Sequence, residues 1–296
     1  MATTSCCPDN SWGAPLDINH DTKSLDGARG ALHFIGPAKD LEIYVSRPEE
    51  GNGIITSSQK ALCVLTDVYG LQSRLYAICD KLATDLKCTV VALDTFRGET
   101  KDKHLEDFKE WLGCHPFERG DVESAIKTKD DKSAIYPVKD DIVSCFAFLS
   151  ETYNIKSSDV GAVGFCWGVW AMTKACEMNL FHCGVGFHPS IKIESMVFGG
   201  DQEAIVKKAA DNTPLLFCVA GNDLENLKDG GELAQIIIAS SKSKHTSEDH
   251  KAAPRCVEFP EMMHGWVSRG DTSIDKVKGD AEASLKLAVD FLRHWM

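Results

Sequence analysis

The sequence predicts an α/β fold, a mostly parallel central sheet with helices on both faces. Three observations carry this. Short apolar runs alternate with longer segments of helical spacing from about residue 31 to the end of the chain, the pattern of strands joined by crossover helices. Runs such as Ala61-Leu-Cys-Val-Leu65 are apolar without alternation, as strands buried on both faces are. And Val160-Gly-Ala-Val-Gly-Phe-Cys-Trp-Gly168 passes from strand to sharp turn to helix within a few residues, the context in which a turn lifts a reactive side chain above a parallel sheet.

Taken in order, residues 1–30 are polar and punctuated by Gly and Pro, and read as an N-terminal arm. In it, Cys6-Cys7 reads as a loose terminal pair rather than a redox or metal handle. Residues 31–296 read as one domain, since nothing resembles a linker. Ala31–Gly36 and Leu41–Arg47 alternate and form an antiparallel pair at one sheet edge. Ala61–Leu65 is a central strand, followed by a helix over Leu71–Leu86, and Thr89–Leu93 is the next strand. From about 99 to 136 the pattern gives way to charge and scattered aromatics, with one amphipathic helix over Leu105–Leu112; an excursion of this length is usual for a lid over a site. Val138–Tyr153 is a helix. Asp159–Phe165 is the strand before the sharp turn, and Val169–Met178 the helix after it. Cys183–Phe187, Pro214–Ala220 and Arg255–Phe259 complete the strands, with helices over Gly231–Ser241 and Asp275–Trp295.

Composition narrows the function. A net charge of −12 argues against general binding to nucleic acid or anionic membranes. No run reaches the roughly 18 apolar residues of a membrane span. Twelve cysteines without an apolar leader read as reduced thiols of a cytoplasmic protein. No Cys-x-x-Cys, His-x-His or His-Glu-x-x-His spacing supports a zinc site, and no metal or organic cofactor is expected.

In a parallel sheet, sites form beyond the C-terminal ends of the strands. Asp67, Arg97, Cys166, His188, Asp223 and His264 stand there. A cysteine attacks as its thiolate, and a neighbouring histidine lowers its pKa or takes its proton. A carboxylate fixes the imidazole tautomer. The order Cys166, Asp223, His264 is that of α/β-hydrolase triads. Asp223 can also be read as a turn residue, with Asp229 the next acid, and His264 as a satisfied loop histidine.

The chain resembles the dienelactone hydrolase family, a branch of the α/β-hydrolases with a cysteine nucleophile, over roughly Leu41–Trp295. The resemblance lies in Gly164-Phe-Cys-Trp-Gly168, Ala220-Gly-Asn-Asp223, His264-Gly-Trp-Val-Ser-Arg269, Thr66-Asp-Val-Tyr-Gly70 and Asp94-Thr-Phe-Arg-Gly98. It implies an α/β-hydrolase fold and hydrolysis of a lactone or carboxylic ester, of the carboxymethylenebutenolidase type. It also implies Cys166 as nucleophile, His264 as base, Asp223 as its orienting acid, and the backbone N–H groups of Val68 and Trp167 as oxyanion hole. An acid at position 67 would hold the resting thiol and help to deprotonate it. Two positions depart from the family: Val169 replaces a second glycine after the elbow, and Asp67 a longer Glu.

The expected chemistry is acyl transfer through a thioester, with a small-molecule lactone or ester as the partner. Arg97 and Arg269 are expected to bind a substrate carboxylate, with Tyr69 and His188 also lining the pocket. Two readings compete: a non-catalytic protein on the same fold, and a thiol redox protein in which Cys63 or Cys183 lies near Cys166. The sequence leaves the oligomeric state open.

Overall fold

The computed structural model describes residues 7–8, 10–13, 24–48, 59–121, 135–245, 247, 249 and 251–296. Eight strands form one sheet: β1 (Ala31–Ile35), β2 (Leu41–Ser46), β3 (Ala61–Leu65), β4 (Thr89–Leu93), β5 (Val160–Phe165), β6 (Gly184–Phe187), β7 (Leu215–Ala220) and β8 (Arg255–Phe259), in the order β1-β2-β4-β3-β5-β6-β7-β8. Only the β1–β2 and β2–β4 pairs are antiparallel; the others run parallel. The helices are α1 (Ser73–Leu86), α2 (Phe108–Gly113), α3 (Val138–Tyr153), α4 (Trp167–Glu177), α5 (Ile193–Phe198), α6 (Gln202–Asn212), α7 (Glu232–Lys244), α8 (Trp266–Arg269) and α9 (Asp275–Trp295).

The unbroken apolar character of β3 follows from its burial on both faces. Ala61, Cys63 and Leu65 face one core with Ile142 of α3, Trp170 of α4 and Val206 of α6. Leu62 and Val64 face the other, with Leu75 and Leu82 of α1 and Leu285 and Phe291 of α9. Period-two alternation thus sends successive side chains into different cores, both apolar.

The expected strands are present, with ends shifted by a residue or so. In the excursion, the observed helix starts at Phe108 rather than Leu105, and Leu105 is exposed. Residues 122–134 lie outside the described residues. The sequence reading placed no element between Ser190 and Pro214, yet α5 and α6 occur there. Among the described residues no helix is long and apolar enough to cross a membrane.

The turn after β5 depends on two glycines. A Cβ on Gly168 would lie 2.1 Å from the Leu65 carbonyl oxygen, and one on Gly164 would lie 2.6 Å from the Gly168 carbonyl oxygen. Both obstacles are backbone, which cannot swing aside, so α4 can start this close to β3 and β5 only if both positions lack a Cβ. Gly168→Ala is expected to lower the urea midpoint at an unchanged m-value, by ~1–3 kcal/mol as for other overpacked interiors. A midpoint equal to wild type would show that α4 can back away from the sheet.

Candidate active site

The parallel strands all end at one edge of the sheet, so the residues after β3, β5, β6, β7 and β8 converge. Cys166 occupies the turn between β5 and α4 with φ 52° and ψ −112°. A positive φ is uncommon for a residue with a Cβ and costs ~1–3 kcal/mol. The turn is held by its neighbours: the Cys166 N–H donates to the Phe187 carbonyl at 3.0 Å, and the Ser190 N–H donates to the Cys166 carbonyl at 3.1 Å. The strain places the sulfur ahead of the helix N-terminus, where the Trp167 N–H, first in the helix, has no intrahelical acceptor. Val68 lies buried in the loop after β3.

His264 and Asp223 come from the loops after β8 and β7. The His264 Nδ1–H donates to Asp223 Oδ1 at 2.5 Å, and Asp223 Oδ2 accepts from the Ala220 N–H at 2.7 Å. Since the ionised carboxylate can only accept, Nδ1 carries the proton. The His264 backbone N–H donates to Asn222 Oδ1 at 2.6 Å, which fixes the loop as well as the ring. His264 Nε2 is buried without a hydrogen-bond partner. Ligand atoms of His264, Cys166 and Cys7 all lie within 4.8 Å of one another. With Nδ1 taken by Asp223, Nε2 is the nitrogen left to face the sulfurs. Burial pulls the imidazolium down, but the charges of Cys166, then Asp223 and Cys7, outweigh it, so the His264 pKa lies well above its ordinary value.

Other members of the site differ from the sequence reading. Cys166 Sγ has Cys7 Sγ at 3.6 Å and Ser190 Oγ at 3.3 Å. Asp67, expected to serve the thiol, has other partners: Oδ1 accepts from the Tyr69 N–H at 2.9 Å, and Oδ2 accepts from Ser268 Oγ at 2.8 Å and pairs with Arg269 Nε at 3.0 Å. A short Asp reaches these groups within its own loop and at the end of α8. Arg97 is held away from its expected role by Asp141, which takes both guanidinium ends at 2.7 Å, while the Tyr136 ring lies 4.7 Å from its Cζ. Arg269 does reach the site. It is buried, its Cζ lies 4.8 Å from the Tyr69 ring centre, and its Nη1 donates to the carbonyls of Trp12 and Gly13. His188 is also there, buried with its ring 5.0 Å from that of His264. Burial first, then the nearby His264 and Arg269 charges, hold its pKa well below the ordinary value, so it stays neutral beside the imidazolium.

Trp12 and Ser190 escaped the sequence reading, and Cys7 was read there as part of a loose terminal pair. Ser190 follows β6 in His188-Pro-Ser190 and could have been found as a hydroxyl at a strand end. Trp12 carries no such signal. The expected loose terminal pair is corrected at Cys7, which is buried against Cys166; Cys6 lies outside the described residues. The arm is fixed by the Trp12 N–H, which donates to the His264 carbonyl at 2.9 Å. Cys7, Cys166 and His264 also form the one cluster of metal-ligand type among the described residues.

Residues 44–296 match the model of the dienelactone hydrolase family. Comparison with curated protein sequences gave no match. Among solved structures, the chain is similar to a thermophilic esterase from the Planctomycetes species Thermogutta terrifontis, with TM-score 0.54 and 13% identity over 92% of this chain and 93% of that one. It is similar to a Pyrobaculum calidifontis esterase, with TM-score 0.52 and 13% identity over 91% and 86%. An ester hydrolase from the metagenome of Lake Arreo gives TM-score 0.53 and 16% identity over 95% and 86%. At such identities the likeness speaks to the fold, and it is that of the α/β-hydrolases.

Proposed function

The chain belongs to the dienelactone hydrolase family, and on that premise we propose that it hydrolyses a lactone or carboxylic ester through Cys166, His264 and Asp223, with a thioester intermediate. The observation that carries this reading is the convergence of a strained, helix-capping cysteine with a carboxylate-oriented imidazole whose Nε2 is free. The Cys166 thiolate attacks the carbonyl carbon, and the oxyanion is stabilised by the N–H groups of Trp167 and Val68. The His264 imidazolium gives its proton to the departing oxygen. Once the sulfur is acylated its negative charge is gone, and with it the first upward influence on His264. The imidazole is then a base able to activate water against the thioester. Activation of the thiol is assigned to His264, since Asp67 is engaged by Arg269 and Ser268.

Recognition of a substrate carboxylate is assigned to Arg269 alone. Its Nη1 is held by two arm carbonyls, and withdrawal of the arm would leave that nitrogen for a carboxylate oxygen. The reading is tested by turnover of a chromogenic acyl ester and of a carboxylate-bearing lactone against its methyl ester. Hydrolysis should disappear on alkylation of Cys166, mapped by mass, and the free acid should be preferred to its ester. Turnover that survives complete alkylation of Cys166 would overturn the reading. Equal use of acid and ester would remove only the role of Arg269.

A further inference from the structure

We propose that Cys7 is the resolving thiol of Cys166: a hydroperoxide oxidises Cys166 to a sulfenic acid, and Cys7 condenses with it to a disulfide that shuts the site reversibly. This rests on the reading of Cys166 as an activated thiol and not on which ester the protein cleaves.

The two sulfurs are 3.6 Å apart although their residues are 159 positions apart in sequence. Closing to the ~2.05 Å of an S–S bond asks for a movement of ~1.5 Å, which a side-chain rotation or a slight shift of the arm supplies. The contact is held by the fold. The Trp12 N–H bonds to the His264 carbonyl, and Arg269 binds the carbonyls of Trp12 and Gly13. His264 can serve both steps, since one of its ring nitrogens lies within 4.8 Å of both sulfurs. Cys63 lies against Cys145, and burial raises Cys183 far above the ordinary thiol range; these are the two that the sequence reading offered as neighbours of Cys166. Cys7 also lies outside residues 44–296, which match the family, so the pair is an addition made by the arm to the family's domain.

In the first step the thiolate sulfur attacks one peroxide oxygen. The O–O bond breaks, and the departing oxygen takes a proton from the imidazolium, leaving as water or an alcohol. In the second step the Cys7 sulfur attacks the sulfenic sulfur. The S–S bond forms, the S–O bond breaks, and hydroxide leaves as water with the Cys7 proton. Two thiols and one hydroperoxide give one disulfide, one water, and one water or alcohol. A second cysteine poised against the first is what such sites share, and here it stands at 3.6 Å. Capture by Cys7 would compete with further, irreversible oxidation of Cys166. Both Cys166 and His264 are fully buried, and the disulfide would lock Cys7 against Cys166.

The test uses the full chain, reduced and then exposed to one equivalent of hydrogen peroxide. Non-reducing digestion should yield one Cys7–Cys166 linked peptide, lighter by two hydrogens than the separate peptides, and dithiothreitol should release it. Ester turnover should fall to near zero on oxidation and return on reduction. Cys7→Ser should give no linked peptide and, given a second equivalent of peroxide, should instead accumulate sulfinic acid at Cys166, with activity that reduction does not restore. Cys6→Ser should still give the linked peptide. The idea is overturned if no Cys7–Cys166 peptide forms, if Cys6 is the partner, or if Cys166 reaches sulfinic acid equally fast in wild type and Cys7→Ser. It is also overturned if the purified chain carries stoichiometric zinc that Cys7→Ser loses and that blocks the linkage. Peptide mapping does not depend on hydrolysis, so this idea and the esterase reading fail separately.

Discussion

Cys166→Ala should leave a folded protein whose ester hydrolysis is reduced by a factor on the order of 10⁴ to 10⁶, the range seen when a triad nucleophile is removed. The backbone at 166 is already at φ 52°, and alanine meets the same restriction there as cysteine, so the exchange adds no new strain. The sulfur is fully buried, and its removal leaves a small cavity worth ~1 kcal/mol. The far-ultraviolet circular dichroism and the urea midpoint should therefore stay close to wild type while turnover disappears. The imidazole should respond too: without the Cys166 charge its pKa loses the first of the influences that raise it. Normal turnover by a folded Cys166→Ala protein would place the chemistry elsewhere.

Which parts of this site could be read from the sequence depends on how local their causes are. The β5 strand, the Gly164-Phe-Cys-Trp-Gly168 turn and the start of α4 are consecutive, and two backbone clashes that only glycine avoids explain the spelling of the turn. His188, Asp223 and His264 follow directly on strands or lie just beyond them, and a parallel sheet brings such positions together whatever lies between. The partners of the arginines are a different matter. Whether Arg97 meets substrate or Asp141 is settled by α3 packing beside the loop after β4, a contact between residues 44 positions apart. Asp67 is engaged by Arg269 across 202 positions of chain, and no spacing rule reaches that far. The α6 helix did carry a local signal, since Asp201 caps it by accepting from the N–H groups of Glu203 and Ala204. Its polar first turn and weakly apolar face hid it. For Cys7 the Cys6-Cys7 pair was visible but its partner was not, because Cys166 lies 159 positions away.

Asp223→Asn should reduce kcat by a factor on the order of 10⁴, as when a triad carboxylate is replaced by its amide. The Asp223 carboxylate accepts from His264 Nδ1–H at 2.5 Å and from the Ala220 N–H at 2.7 Å. Asparagine can keep the second bond through its oxygen, so the turn survives. Its NH₂ then faces Nδ1 and favours the tautomer with the proton on Nε2, which cannot take a proton from the thiol. The loss of one negative charge also removes an upward influence on the imidazole, so His264 should titrate at lower pH in the variant, a shift that NMR of the ring would read. If the two residues act only through each other, Asp223→Asn with His264→Ala should be little worse than His264→Ala alone. Asp229→Asn should keep wild-type turnover, since Asp229 is exposed and Asp223 already holds Nδ1. Losses that multiply in the double variant, or an imidazole that titrates unchanged in Asp223→Asn, would show that Asp223 does no more than close the turn after β7.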